Sequence, residues 1–396
     1  MRRPDLPALE GGDRPLAVLR GVAVQHPHGD AYRPESHEAA SRAAVTRKLA
    51  RLLDYEWSAE FPAPGFPAPR ASTLAHQPRA HQPHVYFVPD DTLSAREARD
   101  LGIRDECDLF GGVVPHAYMK GKTITHALVS ADACAPPGWQ PRLPERIADL
   151  VLPGYSAFSL ADASCALTRA LALGPARVKL GDGIGGGGQA RVDGPGQIGA
   201  VLGRLDDGQL QRHGVVIEQH LEEQATHSVG LARVGELRIA YCGTQRQTRN
   251  HQGHSVYGGS DLVVVRGGFD ELLAVALPAQ DVEAVRLARR FDDEVSAQVP
   301  GFFASRRNYD VILGRDAGGR ERQGVLEQSW RIGGASPAEV AAMEAFRRDG
   351  ETRMVRASCT EVYGDEEPPA GADVHYSNLD ARVGRLTKYS MVEPLE

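Results

Sequence analysis

Residues 179–188 read Lys179-Leu180-Gly181-Asp182-Gly183-Ile184-Gly185-Gly186-Gly187-Gly188, and the reading of this stretch decides the fold. Glycines let a backbone fold tightly over phosphate oxygens and present its N–H groups to them. No Gly-Lys-Ser/Thr follows, so the spacing is not that of a Walker A loop. The next residues, QARVDG, read as strand and turn rather than helix, which sets aside a dinucleotide-binding turn. What remains is a strand–glycine loop–strand hairpin, Arg177–Leu180 and Gln189–Val192, with a lysine on its incoming strand. A flexible linker is the competing reading of any glycine cluster.

Two further stretches carry chemistry. Val215–Leu221, VVIEQHL, is an apolar strand running into Glu218, Gln219 and His220. By itself it fits an edge strand with a solvated end. Tyr309–Leu313 and Gly324–Glu327 read as the two strands of a hairpin, followed by Gln328-Ser329-Trp330-Arg331-Ile332-Gly333-Gly334. On that hairpin Asp310 and Glu327 face each other from otherwise apolar strands. Adjacent carboxylates repel unless a cation lies between them, and magnesium takes carboxylates together with phosphate oxygens. The bland alternative turns the two side chains to opposite faces or gives them arginine partners.

Composition narrows the field. The chain has 396 residues, 42% hydrophobic and 24% charged, which is ordinary for a globular protein of two or three lobes. Its formal net charge of −7 argues against nucleic-acid binding and against adhesion to an anionic membrane. No apolar run approaches the roughly 20 residues that span a bilayer, and Met1-Arg2-Arg3-Pro4 has no apolar core behind it. Cys107, Cys134, Cys165, Cys242 and Cys359 are scattered and odd in number, as expected of small buried side chains in a reducing cytoplasm. Of 45 basic residues only five are lysines, Lys48, Lys120, Lys122, Lys179 and Lys388. A lysine kept in so arginine-rich a chain suits a compact charge on phosphate.

Elsewhere, Pro15–Val24 reads as a buried strand, Ser36 as the cap of a helix to about Leu53, and His84–Pro89 as a second strand before a helix at Ser94–Leu101. Residues 60–84, with His76, His81 and His84 among prolines, read as a surface loop. Lys122–Val129, Ser159–Leu173 and Asp281–Val299 read as helices. Leu237–Tyr241 and Leu262–Val265 read as strands, with the donor-rich stretch Gln245–His251 between them. Asp365–Asp373 reads as an acidic loop in a tail of uncertain pattern.

The order of these parts over residues 118–345 resembles the ATP-grasp superfamily, whose members include biotin carboxylase and D-alanine–D-alanine ligase. The order is a lysine-led helix, a lysine strand with glycine hairpin, a strand ending in Glu, then Asp and Glu-x-x-x-Arg-x-Gly-Gly. The resemblance implies an α+β / α/β ATP-grasp fold: a small N-terminal lobe (1–115), a subdomain with the glycine loop (116–216) and a larger one with the metal site (217–396). It implies ATP and Mg2+ (or Mn2+) as cofactors, with small-molecule carboxylate and nucleophile substrates. Many members dimerise, so a homodimer is the expectation.

Position by position, Lys122, with Lys120 competing, and Lys179 resemble the phosphate-contacting lysines. Gly185, Gly186 and Gly187 resemble the mobile loop over the γ-phosphate, and Glu218, Gln219, His220 and Leu221 the hinge whose backbone reads adenine. Glu222, Glu223 and Thr226 compete for the ribose. Asp310 and Glu327 resemble the metal-binding acids, and Arg331 the arginine that steadies the transferred phosphoryl group. Ser329 stands where the superfamily usually has Asn, a poorer metal ligand. Arg249, in the donor-rich stretch, has the chemistry to hold a substrate carboxylate in a two-pronged grip; the bland reading there is a solvated loop. The implied activity is carboxylate–amine ligation through an acyl phosphate. The alternatives are an ATP-binding module without turnover and an ATP-grasp phosphotransferase.

Overall fold

A computed structural model describes residues 21–26, 36–59, 84–183 and 188–395. The glycines Gly185, Gly186 and Gly187, the start of the Pro15–Val24 segment, and His76 and His81 lie outside the described residues.

The first unit contains β1 (Gly21–His26), α1 (His37–Leu53), β2 (Glu56–Ser58) and β3 (His84–Pro89), with the strands parallel in the order β2-β1-β3. Ser36 caps α1 by accepting the Ala39 N–H, and the helix ends at Asp54 in the left-handed conformation. There follow β4 (Leu93–Ser94), α2 (Ala95–Leu101) and β5 (Gly112–Val114). Ser94 and Glu97 close a capping box on α2.

The chain continues through α3 (Arg142–Arg146), β6 (Gly154–Ala157), α4 (Leu160–Leu171), β7 (Ala176–Leu180), β8 (Gln189–Val192), α5 (Ile198–Leu202), α6 (Asp207–His213) and β9 (Val215–Gln219). Its four strands form one antiparallel sheet, β6-β9-β7-β8. The strand that ends in Glu218 and Gln219 is therefore interior, not an edge. That interior place explains its unbroken apolar run.

The third part holds β10 (Glu222–Val234), β11 (Leu237–Arg249), β12 (Ser255–Arg266), α7 (Phe269–Ala274), α8 (Ala279–Gln298), β13 (Phe303–Ala304), β14 (Arg306–Arg315), β15 (Glu321–Ser329), α9 (Ser336–Arg348), β16 (Met354–Tyr363), β17 (Asp373–Asp380) and β18 (Gly384–Pro394). Eight strands build one sheet, β15-β14-β10-β11-β12-β16-β18-β17. On one face α8 lays Val285, Ala288, Phe291 and Val295 against Val229, Ala240, Cys242 and Val311. On the other, Met343 and Phe346 of α9 and Leu49 of α1 pack with Tyr241, Leu262 and Val264. Among the described residues no helix is long and apolar enough to cross a membrane.

Three expectations change. Lys122–Val129 is not an α-helix: Lys122–Ile124 is a single 3-10 turn. Thr123 and Thr125 turn their hydroxyls back onto the carbonyls of Tyr118 and Lys122, a local competition that disfavours a helix. Gln245–Arg249 is not a connection but the second half of β11, and the turn itself is 250–254. The tail from 354 onward is three strands of the main sheet.

Candidate active site

Strand pairing puts Asp310 and Glu327 directly opposite each other, and the register slips immediately after them. The bulge lies between the Glu327 and Val325 pairings, so the ladder bends where the two acids meet. Asp310 Oδ1 accepts from Asn308 Nδ2 at 3.0 Å and from Gln245 Nε2 at 2.9 Å. Burial first, and then the facing Glu327 carboxylate, push the Asp310 carboxyl up to about 6. Two acids so placed repel each other unless a cation lies between them, and together they could hold one.

The support beneath them is polar and buried. Asn308 Oδ1 accepts from Ser228 Oγ at 2.6 Å and lies 2.9 Å from the Tyr241 hydroxyl. That hydroxyl is also 2.7 Å from Glu339 Oε1 and, with one proton, serves one acceptor at a time. Glu339 meets Arg306 with both carboxylate oxygens, Nη2–Oε1 2.6 Å and Nε–Oε2 3.1 Å. The two side chains are 0% and 1% exposed. Arg306 also donates through Nη1 to the carbonyls of Ser329 at 3.1 Å and Arg331 at 2.5 Å. One guanidinium thus fixes the strand end that carries Glu327.

Lys122 is nearly buried and ion-paired to Glu327, and its Nζ donates to the Gly183 carbonyl at 2.6 Å. Its backbone N–H donates to the Gly181 carbonyl at 3.1 Å. The approach demands glycine: a Cβ on Gly121 would collide with the Gly181 carbonyl. The glycine hairpin and the acid pair are therefore joined through one lysine. Lys120 points elsewhere, to Glu97 at 2.8 Å.

Lys179 and Glu218 form a second pair, 2.5 Å apart and 3% and 2% exposed. They stand diagonally on neighbouring strands of one sheet face. Glu218 Oε2 and Gln219 Oε1 are buried without a partner, which is costly unless a ligand donor meets them. Three backbone groups of the expected hinge have partners within the chain. Gln219 N–H donates to Pro153 O and His220 N–H to Pro175 O, each at 2.9 Å, and the Leu221 carbonyl accepts from Gln224. These three backbone groups are engaged, and the Glu218 and Gln219 side-chain oxygens beside them are the buried acceptors without a partner. His220 is wedged between Arg177 and Arg191; burial, then the two guanidiniums, lower its pKa.

The remaining expected residues fall outside this cluster or at its rim. Ser329 lies opposite Asn308 in register and its Oγ is 3.4 Å from Arg306 Nη1, so its hydroxyl faces a cation. Arg331 donates to the Ile332 carbonyl at 2.9 Å. Burial lowers its pKa, Asp91 opposes this, and Arg306 adds to it. Arg249 closes the β11–β12 turn by donating to Gly253 O at 2.8 Å. It stands four residues, about 13 Å, along the strand from Gln245. Glu222 pairs with Arg191 at 2.6 Å. Sequence reasoning missed Arg306, Asn308, Tyr241 and Glu339. A visible signal was Glu339, a lone acid on the apolar face of α9.

A family model described as "Protein of unknown function (DUF3182)" matches residues 25–390. The chain belongs to the DUF3182 family. No curated protein matches the sequence. Among solved structures this DUF3182 chain is similar to biotin carboxylase from Campylobacter jejuni. They are 10% identical over 95% of this chain and 87% of that one, with a TM-score of 0.52. D-alanyl-alanine synthetase A from Vibrio cholerae is 11% identical over 81% and 91%, with a TM-score of 0.48. Phosphoribosylamine–glycine ligase from Thermotoga maritima is 13% identical over 95% and 92%, also at 0.48. The fold of this DUF3182 chain is ATP-grasp, with mixed α and β layers.

The residues present fit ATP with a divalent cation. The fit rests on the facing acids, the two buried lysines and the unpartnered Glu218 and Gln219 oxygens. Lys122 and Lys179 have the charge for phosphate, and Asp310 and Glu327 the oxygens for magnesium.

Proposed function

We propose that this chain is an ATP- and magnesium-dependent ligase that activates a substrate carboxylate for attack by an amine or another nucleophile. The observation that carries the reading is the junction at Lys122, where one ammonium joins the glycine hairpin to the acid pair. A carboxylate oxygen of the substrate attacks the γ-phosphorus of ATP, the β–γ bridging bond breaks, and ADP leaves with the electron pair. The nucleophile then attacks the acyl carbon and releases inorganic phosphate.

Lys122 and Lys179 neutralise phosphate charge as it shifts toward the leaving ADP. When bound, magnesium supplies Lewis-acid polarisation of phosphate oxygens. Asp310 is held in place for this by Asn308 and Gln245, and Glu327 by the Arg306 clamp on the strand end that carries it. The Arg331 guanidinium, near Asp91 and Glu327, completes the positive rim. A cytoplasmic location and a homodimer belong to the same proposal.

A second reading, ATP binding without ligation, is favoured by Ser329, whose hydroxyl meets Arg306. The test is ADP and phosphate release by the purified chain with magnesium against pooled carboxylates and amines. ADP and phosphate formed only with both pools present support ligation. A stable phosphorylated product with the carboxylate alone indicates a phosphotransferase. ATP binding without turnover in any pool overturns the ligase in favour of the binding module.

A further inference from the structure

On the α8 side of the main sheet, away from the acid pair, lies a second cluster of chemically capable side chains. His227 of β10 and Cys242 of β11 are diagonal neighbours: Val229 faces Cys242, and His227 faces Thr244. Asp281 reaches them from the first turn of α8. One donor atom from each lies within 4.8 Å of the other two. His227 and Cys242 are each 1% exposed, while Asp281 is partly open to solvent. His227 Nδ1 is 2.9 Å from Asp281 Oδ1, yet neither ring nitrogen makes a well-directed hydrogen bond. A buried imidazole whose Nε2 meets no partner at all needs an explanation.

Among the described residues, the other such group is weaker. His37, Glu38 and Asp380 also lie together, but the Asp380 carboxylate is filled by the N–H groups of His37, Arg382 and Val383.

We infer that His227, Cys242 and Asp281 form a binding site for one zinc-like transition-metal ion, separate from the magnesium seat and on the opposite face of the same sheet. One sulfur, one imidazole nitrogen and one carboxylate oxygen make a borderline donor set that prefers zinc or cobalt to magnesium. Tetrahedral zinc bonds of ~2.0–2.3 Å put donors about 3.2–3.8 Å apart, so closing the triangle takes small side-chain rotations. A solvent molecule through the Asp281 side supplies the fourth ligand. Binding releases the Cys242 proton, because burial and then the Asp281 charge keep the thiol protonated without metal.

The ion ties the start of α8 to strands β10 and β11. On their other face these strands carry Ser228, Tyr241 and Gln245, the residues under the acid pair. The role is therefore structural, with an effect on how firmly Asp310 is held.

The experiment uses the full chain stripped with chelator, titrated with Co2+ and then Zn2+. One equivalent of Co2+ is expected to give a thiolate-to-cobalt absorption band in the near ultraviolet and tetrahedral bands in the visible, all abolished by Zn2+. Zinc is expected to raise the melting temperature. Cys242→Ser should remove the near-ultraviolet band, and Asp281→Asn, at the solvent side, should weaken binding at least about tenfold. Glu327→Gln should leave the band intact. Absence of the thiolate band in the folded wild type overturns the site, as does a band that survives Cys242→Ser.

Discussion

Lys122 and Glu327 are ion-paired, and the same ammonium holds the Gly183 carbonyl at 2.6 Å. In this arrangement the lysine shields the acid pair, and a bound phosphate would draw it away from Glu327 and free the carboxylate for a metal ion. Lys122→Gln should therefore weaken ATP binding by roughly tenfold or more, a loss of ~1.4 kcal/mol or greater. It should also tighten magnesium binding in the absence of nucleotide. Calorimetry of both ligands checks this. Unchanged affinities for both would remove Lys122 from the site.

Arg306 and Glu339 are wholly buried partners, so removing one strands the other's charge. Arg306→Met should cost about 3–5 kcal/mol of stability, since a half-broken buried pair leaves an uncompensated ion. Urea denaturation measures it. The double variant Arg306→Met/Glu339→Met should recover much of the loss, because an apolar pair of similar volume carries no orphan charge.

Gly121 lets the backbone at 121–122 lie against Gly181. Gly121→Ala should push the glycine hairpin away, costing about 1–3 kcal/mol and exposing the backbone around 181–183. Faster amide exchange confined to those residues, with weaker ATP binding, is the expected result.

The His375 imidazole is held down at about 4, by burial first and by Lys48 second. An unfolded histidine titrates near 6.5, so between pH 6.5 and 4 the unfolded chain binds a proton that the folded chain refuses. This group's contribution is fully present above about 6.5 and is lost as pH falls toward 4. Wild type should lose about 1–2 kcal/mol from this source by pH 5. His375→Gln should flatten that part of the profile, as melting curves at several pH values would reveal.

Much of the site was legible because strand periodicity and residue chemistry are local. The glycine hairpin with Lys179, the strand leading to Glu218, and the facing of Asp310 and Glu327 follow from alternation and turn residues. The Arg306–Glu339 clamp was not, since it joins a strand to a helix 33 residues later and exists only once α9 packs on the sheet. The 3-10 turn at Lys122 was misread because its apolar spacing mimics a helix, while the threonine hydroxyls that break it act within a few residues. Part of the hinge's pairing was hidden for a related reason. Whether a backbone N–H at Gln219 or His220 is free depends on Pro153 and Pro175, which neighbouring segments bring alongside. The length of β11 was masked by polar residues at its far end, where the strand's side chains leave the core.

The most direct test of the account is magnesium-dependent ATP binding to the wild type beside Glu327→Gln. The acid-pair reading predicts ATP binding that magnesium strengthens in the wild type, with the magnesium effect abolished in Glu327→Gln while the variant melts within a few degrees of wild type. Absence of ATP binding by the folded wild type, or a magnesium effect that survives loss of the Glu327 charge, would contradict it.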